Sequence, residues 1–317
     1  MVRMMKKKMA KQLMFTKGLK VKSLSAFFEL VRFEHAILFS IGVIIGVILA
    51  GGEIFTPNML LGLVTVICIE MSTFAMNDYF DYPADKVNRR YDRPLVRGDI
   101  SKNIAALTAI VALPLGNICA FIASLSSNIY VFLIPLIISL LSVIYNVFLK
   151  KTPLVGNIFI GITMAIPFIF GAAIADSSVP LSVPLAVPLL SIPEAVLFLS
   201  AIAFVVGVGR EIMKDAEDIK GDIKSGGYTL PTLMGLRGSL YVVIAFYLIA
   251  VFLSIIPFFT FFSGKIQYSI ILITDLILLI VSVRLLRDVR LSTLRWSRKW
   301  TLYAITIGLI AFLLTSM

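Results

Sequence analysis

One histidine and two cysteines in 317 residues leave almost nothing from which to build a zinc or haem site. Cys68 and Cys119 stand far apart inside apolar runs, without metal or disulfide spacing, and read as small buried apolar residues. His35, the only histidine, opens an apolar run and reads as structural. Charge is scarce as well. Charged residues make up 15% of the chain against 59% hydrophobic, and the mean hydropathy of +0.98 is too high for a soluble domain of this length. The net charge of +11 would suit nucleic acid, but the basic residues follow a membrane pattern, so no nucleic-acid partner is expected.

What is present is a set of nine apolar runs, at about 35–52, 59–77, 104–125, 129–149, 154–175, 193–213, 239–262, 267–286 and 299–316. Each approaches the ~20 residues that a spanning helix needs. The expected fold is therefore all-α, a polytopic membrane protein with nine transmembrane helices in one bundle. A basic N-terminal segment, residues 1–34, precedes a membrane domain at 35–317. That segment carries Lys6-Lys7-Lys8, lacks an apolar stretch of signal-peptide length, and is expected to lie on anionic head groups.

Loop charge orients the bundle. Basic residues crowd the N-terminal segment and the loops after runs two, four, six and eight: Lys86 to Arg97, Lys150-Lys151, Arg210 to Arg237, and Arg284 to Lys299. The alternate loops, including the proline-rich stretch 176–193, hold only Lys265. The expected topology in the cell membrane is a cytosolic N-terminus and an external C-terminus. Trp296 and Trp300 flank the last basic stretch and suit an interfacial belt.

Most of the eighteen acidic residues gather in two stretches. Asp78, Asp81 and Asp85 follow the second apolar run at spacings i, i+3 and i+7, and Asp215, Asp218 and Asp222 repeat that pattern after the sixth. On a helix the spacing puts three carboxylates on one face, although Pro83 and Gly221 are expected to interrupt an ideal helix. Carboxylates so close repel unless positive charge lies between them. Mg2+ suits such a set, because it takes a few carboxylates plus phosphate oxygens and water. Solvated loop charge, the bland alternative, does not account for the shared spacing. The loop-charge pattern puts both clusters on the cytosolic face, where they form the expected active site and would hold a diphosphate through metal ions. Their positions also suggest two four-span halves plus a ninth helix.

Asn77-Asp78-x-x-Asp81-x-x-x-Asp85, with Lys86-Val87-Asn88 and Arg93-Pro94-Leu95-Val96-Arg97-Gly98 behind it, resembles the first motif of the UbiA superfamily of intramembrane prenyltransferases. Arg97 departs from the small residue often found there. Asp215-x-x-Asp218-x-x-x-Asp222 resembles the second motif, and Tyr145 with Lys150 or Lys151 resembles the Tyr/Lys segment after the fourth span. The resemblance implies that the six aspartates bind Mg2+ and that Asn77, Lys86, Tyr145, Lys150, Arg210 and Lys214 contact substrate. The wording from Arg210 to Asp222, followed by Thr229-Leu230-Pro231, is most similar to the branch that builds archaeal ether lipids. It implies geranylgeranyl diphosphate as donor and geranylgeranylglyceryl phosphate as acceptor, both entering from the lipid bilayer. Arg32, Arg89, Arg90 and Arg97 are then available to the acceptor phosphate, with Arg32 and Arg97 preferred.

Two other readings compete. An aromatic prenyltransferase of the same superfamily would share the donor motifs. A cation-coupled transporter would place its carboxylates near mid-span; here only Glu70 lies well inside a run, and its role stays open. The topology is testable: cysteines placed at Ser177 and Lys220 should label from opposite sides of the membrane, and labelling from one side removes the nine-span arrangement.

Overall fold

The computed structural model describes residues 21–87, 89–150, 152–176, 192–225, 227–260 and 264–314. The Lys6-Lys7-Lys8 run, Asn88, Lys151 and Ser177, with most of the proline-rich stretch, lie outside the described residues. Within them the chain is helical: α1 Leu24–Val31, α2 Phe33–Leu49, α3 Pro57–Val87, α4 Pro94–Arg97, α5 Lys102–Ser124, α6 Tyr130–Ile144, α7 Val155–Ala175, α8 Glu194–Ser225, α9 Leu230–Thr260, α10 Lys265–Arg287 and α11 Leu291–Leu313. A π-helical turn, Tyr145–Leu149, continues α6.

Seven of these helices are long and apolar enough to cross a membrane, and the bent pair α1–α2 makes an eighth. The ninth apolar run lies in α11, which has 23 residues but starts with Arg295, Arg298 and Lys299, and this charge takes it out of the set. The α1–α2 bend of 52° falls at Arg32, whose φ of 46° and ψ of 57° put a non-glycine residue in the left-handed region. Ser23 caps α1 by accepting from the Ala26 N–H at 3.1 Å, and Ser101 caps α5 from Ile104. The buried face of α1 (Ala26, Leu30, Val31) packs with Ala75, Leu95, Ile100 and Ala105.

α3 is 31 residues long, about 46 Å at the helical rise, against ~30 Å of hydrocarbon. Its polar end from Asn77 therefore overhangs the apolar stretch. α3 and α8 both stay helical past Pro83 and Gly221, so each acidic motif is wholly helical rather than part loop. Pro83 is tolerated because it is exposed and lies close to the helix end. α9 is broken instead, at Gly235 with φ of 77°.

α2 packs on α7, α7 on α8, α8 on α9, α9 on α10 and α10 on α11, and α11 returns to α2 and α8. α3 pairs with α5 and also touches α2. The α2–α7 crossing brings two backbones together. A Cβ on Gly46 would lie 2.1 Å from the Phe168 carbonyl oxygen, and one on Gly171 2.1 Å from that of Val43. Two backbones meet there because small residues let them. Gly171→Ala should lower the thermal midpoint by the equivalent of about 1–3 kcal/mol of overpacking. Gly308→Ala, whose Cβ would meet Thr274 at an ordinary 3.6 Å, should leave it nearly unchanged. Equal midpoints for the two variants contradict the close crossing.

Candidate active site

The overhanging end of α3 carries Asn77, Asp78, Asp81 and Asp85. Asp78 is only 2% exposed. Its Oδ1 accepts from the Arg93 guanidinium at 2.9 Å and from Arg32 at 3.4 Å. Its Oδ2 is buried without a hydrogen-bond partner. The left-handed backbone at Arg32 turns that residue off the α1 axis toward Asp78, and its guanidinium lies 4.5 Å from the Phe74 ring centroid. Asp81 is ion-paired with Lys150. The same ammonium donates to Asn77 Oδ1 at 2.8 Å. Asp85 is within electrostatic reach of Arg90 and Lys150.

Lys150 reaches α3 because the π turn before it redirects the chain. Tyr145 opens that turn, is 4% exposed, and stacks on Phe159 with ring centroids 4.8 Å apart. Burial holds the Lys150 ammonium below the ordinary lysine pKa even though Asp81 pulls the other way.

The second motif lies on α8. Asp215 accepts from Asn157 of α7 at 2.7 Å, Asp218 from Arg90 at 2.8 Å, and Asp222 from the Thr229 hydroxyl at 3.2 Å. Arg90 thus joins the two motifs, since it follows α3 and ends on α8. It also holds Asp92, at 3.1 and 3.2 Å. Burial opposes its charge, but the bonds to Asp92 and the Asp218 carboxylate outweigh that and raise its pKa above the usual guanidinium value. Asp92 moves down for the reciprocal reason: burial raises it, and the Arg90 bond outweighs the burial.

Beside this network opens a cavity of about 840 Å³, within the range of ligand pockets. Arg32, Asn77, Arg90, Arg93, Arg210 and Lys214 line its polar part. Phe39, Phe74, Tyr145, Phe159 and Phe168 supply aromatic wall, and Leu199, Ile271 and Leu309 apolar wall. Glu70 lies in that wall too, as does Asp275, which accepts from Ser254 at 2.8 Å.

Other expected residues sit apart. Arg97 is outside the cavity, its guanidinium taken by Glu29 at 2.5 Å and Asp99 at 2.7 Å. Lys86 is exposed, 5.9 Å from the Tyr82 ring centroid, and does not line the cavity. Lys214 pairs with Glu211 at 2.5 Å. Three residues were missed as site residues. Arg93 stood inside the segment after the first motif, where its positive charge was a usable signal. Asn157, on Asp215, and Arg298, in the cavity wall, had no local signal at all.

The six aspartates offer the hard oxygen donors that Mg2+ takes, and the unpartnered Asp78 Oδ2 is a buried oxygen free to coordinate. The residues therefore fit the ion chemically. They are not gathered as a ready cluster: among the described residues no group of three acidic, His or Cys side chains is arranged to hold a metal. Positive side chains of the chain itself stand between the carboxylates instead.

The UbiA prenyltransferase family model matches residues 39–304. The digeranylgeranylglyceryl phosphate synthase of Archaeoglobus fulgidus is 38% identical over 294 residues, covering 91% of this chain and 94% of that one. A solved structure described as giving structural and mechanistic insights into digeranylgeranylglyceryl phosphate synthase in membranes superposes with a TM-score of 0.70 at 29% identity, over 92% of this chain and 98% of that one. A UbiA homologue from Archaeoglobus fulgidus bound to DMAPP and Mg2+ shares the fold, with a TM-score of 0.54 at 18% identity over 90% of this chain and 98% of that one. With its acidic motifs on the ends of two long helices beside an apolar, aromatic-walled cavity, this chain is a prenyltransferase and belongs to the UbiA prenyltransferase family.

Proposed function

We propose that the enzyme transfers a geranylgeranyl group from geranylgeranyl diphosphate to the free hydroxyl of geranylgeranylglyceryl phosphate, forming the second ether bond of archaeal membrane lipids. The observation that carries this reading is the juxtaposition of two acidic faces and their cations with a largely apolar cavity in one helical bundle. The names of the relatives, which are digeranylgeranylglyceryl phosphate synthases, support the choice of acceptor. The Mg2+ and DMAPP in the related structure support the metal and the donor class.

The chemistry follows from the residues. The bond between C1 of the allylic donor and its diphosphate oxygen breaks, and the electron pair leaves with the diphosphate. Lys150, next to Asn77 and Asp81, and Arg90 and Arg93 are placed to take up the leaving group's charge. Mg2+, held by aspartates of the two motifs, would neutralise more of that charge. Phe39, Phe74, Tyr145, Phe159 and Phe168 keep water from the allylic cation and face it with aromatic rings. The acceptor hydroxyl oxygen then forms the new C–O bond and gives its proton to a first-motif carboxylate or to the departing diphosphate. Asp78, with its unpartnered Oδ2, is one such carboxylate.

In the same reading α11 is the ninth span, the N-terminus is cytosolic, the C-terminus is external, and the acidic end faces the cytosol of a cell membrane. Arg97, held by Glu29 and Asp99, ties the α4 region to α1 rather than binding the acceptor.

Purified protein given radiolabelled geranylgeranyl diphosphate, with geranylgeranylglyceryl phosphate and an aromatic acceptor in parallel, should label only the glyceryl lipid. EDTA should abolish that product, and Asp78→Ala, Asp81→Ala, Asp218→Ala or Asp222→Ala should each lower kcat by roughly 10²–10⁴. Labelling of the aromatic acceptor alone replaces the ether-lipid reading. Full activity in EDTA removes the metal from it.

A further inference from the structure

Five of the six motif carboxylates accept from a positive or polar side chain, yet one half-buried cation has nothing to serve. Arg210 of α8 lines the cavity, and among the described residues it makes no hydrogen bond and no ion pair. Its Nε is buried without a partner. A guanidinium partly withdrawn from water without a carboxylate does not favour the fold, so its place on the cavity wall asks for another reason.

Arg210 is not alone. Arg298 of α11 lines the same wall; one of its Nη atoms donates to Glu217 at 2.6 Å, and its Nε is buried without a partner. Arg32 and His35, from the α1–α2 bend, also line the cavity, and His35 Nδ1 is a third buried atom lacking a hydrogen-bond partner. His35 Nδ1 lies 3.6 Å from the exposed Glu34 carboxylate and is within electrostatic reach of Arg210, Arg32 and Arg298, and Arg210 is within reach of Arg298, Glu211 and Arg32. The local carboxylates on α8 are already engaged. Glu211 is taken by Lys214 at 2.5 Å, and Glu217 is shared between Arg298 and Arg295. Glu70 faces Arg32 from α3. Three basic side chains and a histidine, from the α1–α2 bend, α8 and α11, therefore line the cavity within electrostatic reach of one another, with donors left over.

We propose that Arg210 and Arg298, flanked by Arg32 and His35, form the subsite for the phosphate monoester of the lipid acceptor. The proposal rests on the acceptor reading above. A donor diphosphate is the other anion available. It belongs beside the motif carboxylates, where Lys150, Arg90 and Arg93 already stand, whereas Arg210 contacts none of those carboxylates. Arg32 touches Asp78 and also faces Arg210, so it lies between the two anion sites. A phosphate held by Arg210 and Arg298 anchors one end of the acceptor and leaves its hydroxyl free to approach the motif side.

The test is binding without turnover. Calorimetry on the purified enzyme compares geranylgeranylglyceryl phosphate with its phosphate-free counterpart, geranylgeranylglycerol, in the absence of donor. The wild type should prefer the phosphate lipid by roughly 10- to 100-fold, the scale of charge-assisted hydrogen bonds. Arg210→Gln should remove most of that preference without weakening the neutral lipid, Arg298→Gln should remove part of it, and Arg210→Lys should retain more of it than Arg210→Gln. Binding of a non-reactive prenyl diphosphate should stay within about threefold of wild type in Arg210→Gln. The ligand-free Arg210→Gln protein should melt at or above the wild-type temperature, because an unpaired buried charge has been removed. Equal weakening of both lipids with a lower melting temperature means a structural arginine and overturns the proposal. Loss of diphosphate affinity alone assigns the site to the donor and overturns it as well. Unchanged phosphate-lipid affinity in Arg210→Gln overturns the subsite but leaves the acceptor reading intact. Failure of the wild type to bind either glyceryl lipid removes the acceptor reading itself.

Discussion

Six carboxylates concentrated at one end of an apolar bundle repel one another, and the fold around them is shaped by the need to balance that charge. The balance comes from far along the chain. Arg32 leaves its helix axis at a left-handed residue to meet Asp78. Arg93 meets the same carboxylate from the segment after α3. Lys150 arrives through a π turn, and Arg90 spans from the first motif to Asp218 of the second. Each cation that neutralises a carboxylate also fixes the position of the element bearing it, so electrostatics and architecture at this end are one problem.

The cavity wall shows a second arrangement, in which Arg210, Arg298 and His35 each keep a buried nitrogen without a hydrogen-bond partner. A site that must release a diphosphate and accept a phosphate-bearing lipid needs cations in two places, and it needs them unequally committed. Those beside the aspartates are already paired with them. At the second place Arg210 has no ion pair among the described residues, and Arg298 keeps its Nε unpartnered although it is paired with Glu217. The apolar and aromatic remainder of the wall strengthens both sets by excluding water.

Much of this was legible in the sequence because membrane helices and helical faces leave periodic signals. The apolar runs marked the helices, and the i, i+3, i+7 spacing marked both acidic faces. What escaped was whatever depends on contacts between distant segments. Nothing near Asn157 points to Asp215, 58 residues away, and nothing near Arg298 points to a cavity. Arg97 and Lys86 drew attention by their place in or beside a motif, whereas in the fold Glu29 and Asp99 occupy the first and the second is exposed. Pro83 suggested an interruption that the exposed helix end absorbs. The basic start of α11, read as a loop before a ninth span, belongs to the helix itself.

Asp78, Asp81 and Asp218 are paired with the chain's own cations, and among the described residues the carboxylates are not gathered as a ready metal cluster, so diphosphate oxygens are needed to complete the ion's shell. Calorimetric titration of Mg2+ into the purified enzyme, with and without a non-reactive prenyl diphosphate, tests it most directly. The account predicts weak binding of Mg2+ alone and binding at least tenfold tighter, on the order of 1.4 kcal/mol, once the diphosphate is present. Tight Mg2+ binding that is indifferent to the diphosphate would contradict it.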